Sequence, residues 1–184
     1  MKKDTDKREI FLVLTQTGTV LSRLLKLVTG AEFNHSSISI KDDLSVMYSF
    51  GRLRPYNPFR GGFVREAPHI GTFLRFSDTE AVVVSLSVTE KQYREIKKHL
   101  SAMYRNKQIY KYNYMGLVFA MFGKGCAMKN SYYCSEFVKD VLVRFDVVSE
   151  DLFLEVVKPI DIYNAVNGRV VYRGKLKNYE RVAI

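Results

Sequence analysis

The stretch Ala81–Tyr104 restricts the possible folds of this chain more than any other. Ala81–Val88 reads as a strand, and it runs without a linker into Thr89-Glu90-Lys91-Gln92, a match to the capping box that starts a helix. Behind that box, Tyr93, Ile96, Leu100, Met103 and Tyr104 fall on one helical face. A helix with a single apolar face needs a surface to cover it, and further strands are present to supply one. Ile10–Leu14 is a continuous apolar run, the pattern of a buried strand, and Ser36–Ile40 and Leu44–Phe50 read as two short strands around Lys41-Asp42-Asp43. The expected class is α+β, a small antiparallel sheet packed against helices. At 184 residues, with no Pro-, Gly- or Ser-rich linker and no internal repeat, residues 1–184 are expected to form one domain.

The remaining elements follow from spacing. Leu21–Val28 has helical spacing and stops at Gly30. Gly51–Ile70 holds three of the chain's 4 prolines (Pro55, Pro58, Pro68) and the pair Gly61-Gly62, so it reads as a long loop or flap. Tyr114–Phe122 is apolar nearly all round and reads as a buried helix, too short to span a bilayer. Cys134–Phe145 is a second amphipathic helix, with Phe137, Val138, Val141, Leu142 and Phe145 on one side and Glu136, Lys139, Asp140 and Arg144 on the other. Pro159 opens a short helix that ends near Asn167-Gly168, and Arg169–Tyr172 is a final strand.

Charge and cysteine count narrow the function classes. The 29 basic and 19 acidic residues leave a formal charge of +10, which permits attraction to anionic partners without choosing among them. No nucleic-acid motif is present. Met1–Glu9 is a mixed-charge run rather than a basic patch followed by an apolar stretch, and a cytoplasmic location is the expectation. The 2 cysteines, Cys126 and Cys134, are too few for a secreted disulfide framework or a tetrahedral zinc site, so neither a metal nor a cofactor is expected.

Cys134 lies on the apolar face of its helix and also in the first turn, where free N–H groups and the helix dipole favour a thiolate. Its alternatives are core filler and nucleophile. Of the 3 histidines, His69 and His99 read as solvated, whereas His35 opens a strand on which His35, Ser37 and Ser39 face one way and Ile38 and Ile40 the other. A face of small residues leaves room for the end of a helix to approach. With a three-residue loop Lys41–Asp43, Ile38 would face Val46 and Ile40 would face Leu44, which puts Ser49 opposite His35. Ser49 is therefore the register-based choice for orienting the imidazole, and Glu66, from the long segment that follows, is the choice from chemistry.

The order of these residues resembles that of a known family. His on a strand, then a hairpin, then a Cys opening a helix in Tyr132-Tyr133-Cys134-Ser135-Glu136-Phe137-Val138, is similar to the circularly permuted branch of the NlpC-type papain-like superfamily. Asn34-His35-Ser36-Ser37-Ile38 looks like that family's His strand, and Tyr112-Asn113 is similar to its Tyr-Asp pair, with Asn in place of Asp. The branch includes bacterial lipoprotein-like hydrolases and retinol-acyltransferase-like enzymes. The resemblance implies a permuted papain-like fold and a thiolate–imidazole pair that attacks an amide, peptide or acyl ester through an acyl-enzyme. His35 would take the thiol proton and serve the leaving group; the Cys134 N–H and the Tyr112 hydroxyl would hold the oxyanion. The substrate class, whether small molecule, peptide or lipid, does not follow from the fold.

Two other readings use the same residues. In one, the module is catalytically weak or inactive, and its basic surface and tyrosines hold an anionic partner such as a lipid surface. In the other, Cys126 and Cys134 form a redox pair, although their spacing is unlike Cys-x-x-Cys and Gly123, Gly125 and Ala127 mark a turn.

Overall fold

The run Ile10–Leu14 lacks polar alternation because both sides of its strand are covered. In the computed structural model, which describes residues 7–18 and 32–180, this run is the middle of β1 (Lys7–Gln16). Ile10, Leu12 and Leu14 enter one core; Phe11 and Val13 enter another on the opposite side. The strand pairs antiparallel with β2 (His35–Ser39) on one edge and β5 (Glu80–Thr89) on the other. Further strands are β3 (Met47–Arg54), β4 (Asn57–Glu66), β6 (Lys111–Tyr112), β7 (Ser131–Tyr132) and β8 (Arg169–Lys175). Together they make one eight-stranded sheet in the order β7-β6-β4-β3-β2-β1-β5-β8. Every pairing is antiparallel except the short β6–β7 pair. The α+β expectation holds, with a larger sheet than the small one expected.

Five α-helices are present among the described residues: α1 (Gly71–Arg75), α2 (Glu90–Arg105), α3 (Tyr114–Met121), α4 (Cys134–Arg144) and α5 (Pro159–Ala165). The capping box of α2 forms in full: the Gln92 N–H donates to Thr89 Oγ1 at 3.2 Å, and the Thr89 N–H donates to Gln92 Oε1 at 2.9 Å. Ile96, Leu100 and Met103 of α2 and Phe137, Val138, Val141 and Leu142 of α4 close the larger core over Ile10, Leu12, Ile38 and Phe50. The opposite face is thinner, with Phe73 of α1, Leu176 and Tyr179 covering Phe11, Val13, Met47 and Val83. No helix among the described residues is long and apolar enough to cross a membrane.

Four expectations change or fall away. The Leu21–Val28 helix lies outside the described residues. The Gly51–Ile70 loop is largely the β3–β4 hairpin, paired from Met47↔Glu66 to Arg54↔Asn57 with a bulge between Arg52 and Arg54. Pro55 and Pro58 sit at the closed end of that hairpin, where a strand tolerates the loss of an N–H. The β2–β3 register is also different, since Ile38 pairs with Tyr48 and Ser39 with Met47. Leu44 takes a φ of 51° and is buried in the thinner core, so Ile40–Val46 forms a wide connection. The Ser39 hydroxyl closes that connection from 2.8 Å to the Lys41 carbonyl and 2.9 Å to the Val46 carbonyl. A sheet buried on both faces does not require four apolar residues on one side, and this removes the basis of the expected register. Finally, α3 is not buried: Met115 and Phe122 are 54% and 75% exposed, because uniform apolarity does not specify which side a neighbouring layer covers.

The paired glycines in the hairpin have a steric role. A Cβ on Gly61 would lie 2.7 Å from Tyr112 Cβ, closer than two carbons can pack. Gly61→Ala is expected to push Tyr112 away and destabilise the chain by about 1–3 kcal/mol, measured by urea unfolding. Stability equal to that of the parent would mean that Tyr112 does not rest on Gly61.

Candidate active site

Cys134 is the first residue of α4, preceded by Tyr133 in extended conformation. The Tyr133 N–H donates to Glu136 Oε2 at 3.2 Å, and the Ser135 hydroxyl donates to the Val157 carbonyl at 2.7 Å, so the turn that carries the thiol is held from two sides. The helix packs across β2 and β3. That packing carries its first turn to the start of β2, where Cys134 Sγ lies 3.9 Å from the Asn34 carbonyl and close enough to the His35 imidazole for each group to shift the pKa of the other. The thiol is 5% exposed.

His35 Nε2 is 2.9 Å from Glu66 Oε2, with side-chain exposures of only 14% and 11%. This commits Nε2 to the carboxylate. The Ser37 hydroxyl donates to the same Glu66 oxygen at 2.9 Å and lies 3.3 Å from His35 Nε2. Glu66 reaches the imidazole because Gly51 stands between β2 and β4 without a side chain. A Cβ there would come within 3.2 Å of Glu66 Oε1 and 3.5 Å of His35 Cε1.

Of the two residues considered for orienting His35, Glu66 touches it. Ser49 instead donates to the Ser36 carbonyl at 2.6 Å. That contact steadies the backbone whose N–H, with that of Ser135, helps to hold the thiolate. Ser37 was visible in the sequence as a small residue on the His35 face, but nothing in its type marked it as a partner of Glu66.

Burial alone would push the His35 pKa down. The charge of Glu66, followed by hydrogen bonds to Cys134 and Glu66, outweighs burial and raises it from 6.5 to about 10. Burial pushes the Cys134 pKa up, but the hydrogen bond and charge of His35, with the Ser36 and Ser135 N–H groups, bring it below its ordinary 9.0. Both shifts favour an imidazolium–thiolate pair near neutrality.

Tyr112 is set beside this pair by the parallel pairing Tyr112↔Tyr132, two residues before the cysteine. Burial raises its pKa well above 10.0, and the neighbouring Cys134 thiolate raises it further, so the phenol remains a neutral donor. Asn113 does not touch the thiol. Its Oδ1 accepts the Gly116 N–H at 2.7 Å to cap α3, and its Nδ2 donates to the Cys126 carbonyl at 2.8 Å. Both cysteines are free, and the described residues contain no cluster of three His, Cys, Asp or Glu side chains able to hold a metal ion. Comparison with protein-family models, curated proteins and solved structures finds no match.

Proposed function

We propose that this chain is a thiol hydrolase that cleaves an amide or ester through an acyl-enzyme on Cys134. The observation that carries the reading is a largely buried cysteine in the first turn of a helix, beside a histidine whose Nε2 is 2.9 Å from a carboxylate. A thiolate, a base and an orienting acid in that relation are the parts of nucleophilic acyl transfer. The order His35, Glu66, Cys134 and the packing of the Cys helix across an antiparallel sheet support placing the chain with the permuted NlpC-type papain-like enzymes.

In this mechanism the thiolate adds to the carbonyl carbon, and the new oxyanion takes hydrogen bonds from the Cys134 N–H and the Tyr112 hydroxyl. The His35 imidazolium gives its proton to the departing amine or alkoxide as the carbon–heteroatom bond breaks. The neutral imidazole then removes a proton from water, which attacks the thioester and releases the acid. Glu66 holds the ring in place throughout.

The test is turnover of p-nitrophenyl acetate. We expect a burst of one p-nitrophenolate per chain at pH 7 and a 42 Da adduct on the peptide containing Cys134, the mass gain of a single acetyl group, ~42 Da by simple addition. Loss of burst and adduct in Cys134→Ser is expected. Acetylation spread over lysines, with the burst intact in that variant, would overturn the assignment.

A further inference from the structure

Arg52 carries a charge that the described residues leave uncompensated. It is half-buried near the end of β3, yet no hydrogen bond or ion pair to it is found among the described residues. The Phe76 ring centre lies 5.9 Å from the Arg52 guanidinium carbon and 5.2 Å from that of Arg75. Two guanidinium groups therefore converge on one ring. Burial and the like charge of Arg75 both push the Arg52 pKa down, the signature of two cations held together without an anion between them.

Arg52 shares a cavity with Glu66, the carboxylate that holds His35. Arg52, Pro55, Glu66, Ile70, Thr72 and Lys107 line a cavity of about 210 Å³. Arg75 is not part of that lining, but its Nη1 donates at 3.0 Å to the carbonyl of Pro55, which is, and so the second guanidinium is tied to a residue of the cavity. Arg52 is also near enough to Tyr112 for its charge to act on the phenol. Glu66 is the carboxylate in the lining, and its charge is matched by His35. Arg65 adds a further cation to the cavity, although its own Nη2 is engaged by the Tyr48 hydroxyl at 3.1 Å.

We propose that Arg52 and Arg75 bind an oxyanion, a carboxylate or phosphate carried by the acyl substrate, and so select anionic substrates for the Cys134 site. This rests on the thiol-hydrolase reading and adds the substrate class to it. A guanidinium presents a planar fork of donors that matches either anion in two-point contact, and partial burial strengthens the contact relative to open solvent.

The test compares carboxymethylation of Cys134 by iodoacetate with its carbamidomethylation by iodoacetamide in the full chain. The imidazolium itself favours the anionic reagent, so the informative quantity is the ratio of the two rates across variants. We expect the ratio to fall about tenfold in Arg52→Gln and severalfold in Arg75→Gln, a loss of ion pairing partly open to water. Arg75 is exposed, which keeps the test open if the Arg52 variant does not fold. Inorganic phosphate and acetate, used separately as competitors, tell a phosphate-bearing from a carboxylate-bearing substrate by which of them slows iodoacetate saturably. An unchanged ratio in both variants overturns the anion site while leaving the hydrolase reading intact. If iodoacetamide fails to modify Cys134 at all, the hydrolase reading falls, and the anion site is then judged by phosphate titration against the melting temperature. A saturable rise lost in the double variant supports the site; no rise overturns it.

Discussion

His35→Ala is expected to slow alkylation of Cys134 by iodoacetamide at pH 7 by about 10–100-fold and hydrolysis of an ester substrate by about 10³–10⁴-fold. The difference between the two readouts is mechanistic. Burial raises the thiol pKa, and the hydrogen bond and charge of His35 are the first of the effects that lower it. Without the imidazolium, burial governs and the thiolate becomes a minor species at pH 7. Alkylation loses only that fraction, and the remaining thiolate is more nucleophilic because its pKa is higher. Hydrolysis also loses the proton donor for the leaving group.

The pH profile separates these causes. The parent protein should react evenly from the lowered thiol pKa up to about 10, where the imidazolium titrates. The alanine variant should gain reactivity only as the pH passes the ordinary thiol value of 9.0. Glu66→Gln should fall between the two, since it leaves the imidazole in place but removes the charge that raises its pKa. Identical profiles for all three proteins would show that Cys134 is a packing residue.

Where the folded pair holds the thiol ionised and the imidazole protonated, its contribution to stability should be flat between pH 6.5 and 9.0, the ordinary values of His35 and Cys134, with declines on both sides. The folded pair keeps one proton on the imidazole, and across this interval the unfolded chain also holds one, on the thiol. With equal proton counts, stability does not change with pH. Below 6.5 the unfolded chain binds a second proton, so stability falls as the pH drops through the lowered thiol pKa. Above 9.0 the unfolded chain has lost both protons while folded His35 keeps its own until about 10, so stability falls again.

Cys134→Ala removes one side of this balance. Glu66 still raises the His35 pKa, so the variant should lose stability from pH 6.5 upward, at up to about 1.4 kcal/mol per pH unit. Urea unfolding of both proteins from pH 5 to 10 measures this difference and cancels the groups they share. A plateau that survives in the variant would mean that Glu66 does not keep His35 charged once the thiol is gone.

The parts of this arrangement differ in how far the sequence discloses them. The cysteine at a helix start and the histidine at a strand start were legible because each depends on a local signal, helical spacing in one case and two-residue alternation in the other. Glu66 was legible only as a chemical need. Its approach depends on the β3–β4 hairpin, which prolines and glycines had disguised as a loop, and on the missing side chain of Gly51. The β2–β3 register was misread because alternation identifies one buried face, whereas here Ile38 and Tyr48 enter one core and Met47 the other. The approach of Arg52 and Arg75 to one Phe76 ring depends on the fold, and no spacing in the sequence discloses it.

The strands β4-β3-β2-β1 are adjacent both in the sheet and along the chain. During synthesis, at roughly 5–20 residues per second, the segment bearing His35 and Glu66 leaves the ribosome several seconds before Cys134 is made. Base and acid thus belong to a local meander, whereas the nucleophile arrives from far along the chain and meets them only when α4 docks. Until then the sulfur is an ordinary thiol with an ordinary pKa, poorly reactive toward oxidants and electrophiles. On the proposed reading the thiol is activated only when that long-range contact forms, so a chain in which α4 has not docked does not expose an activated thiolate.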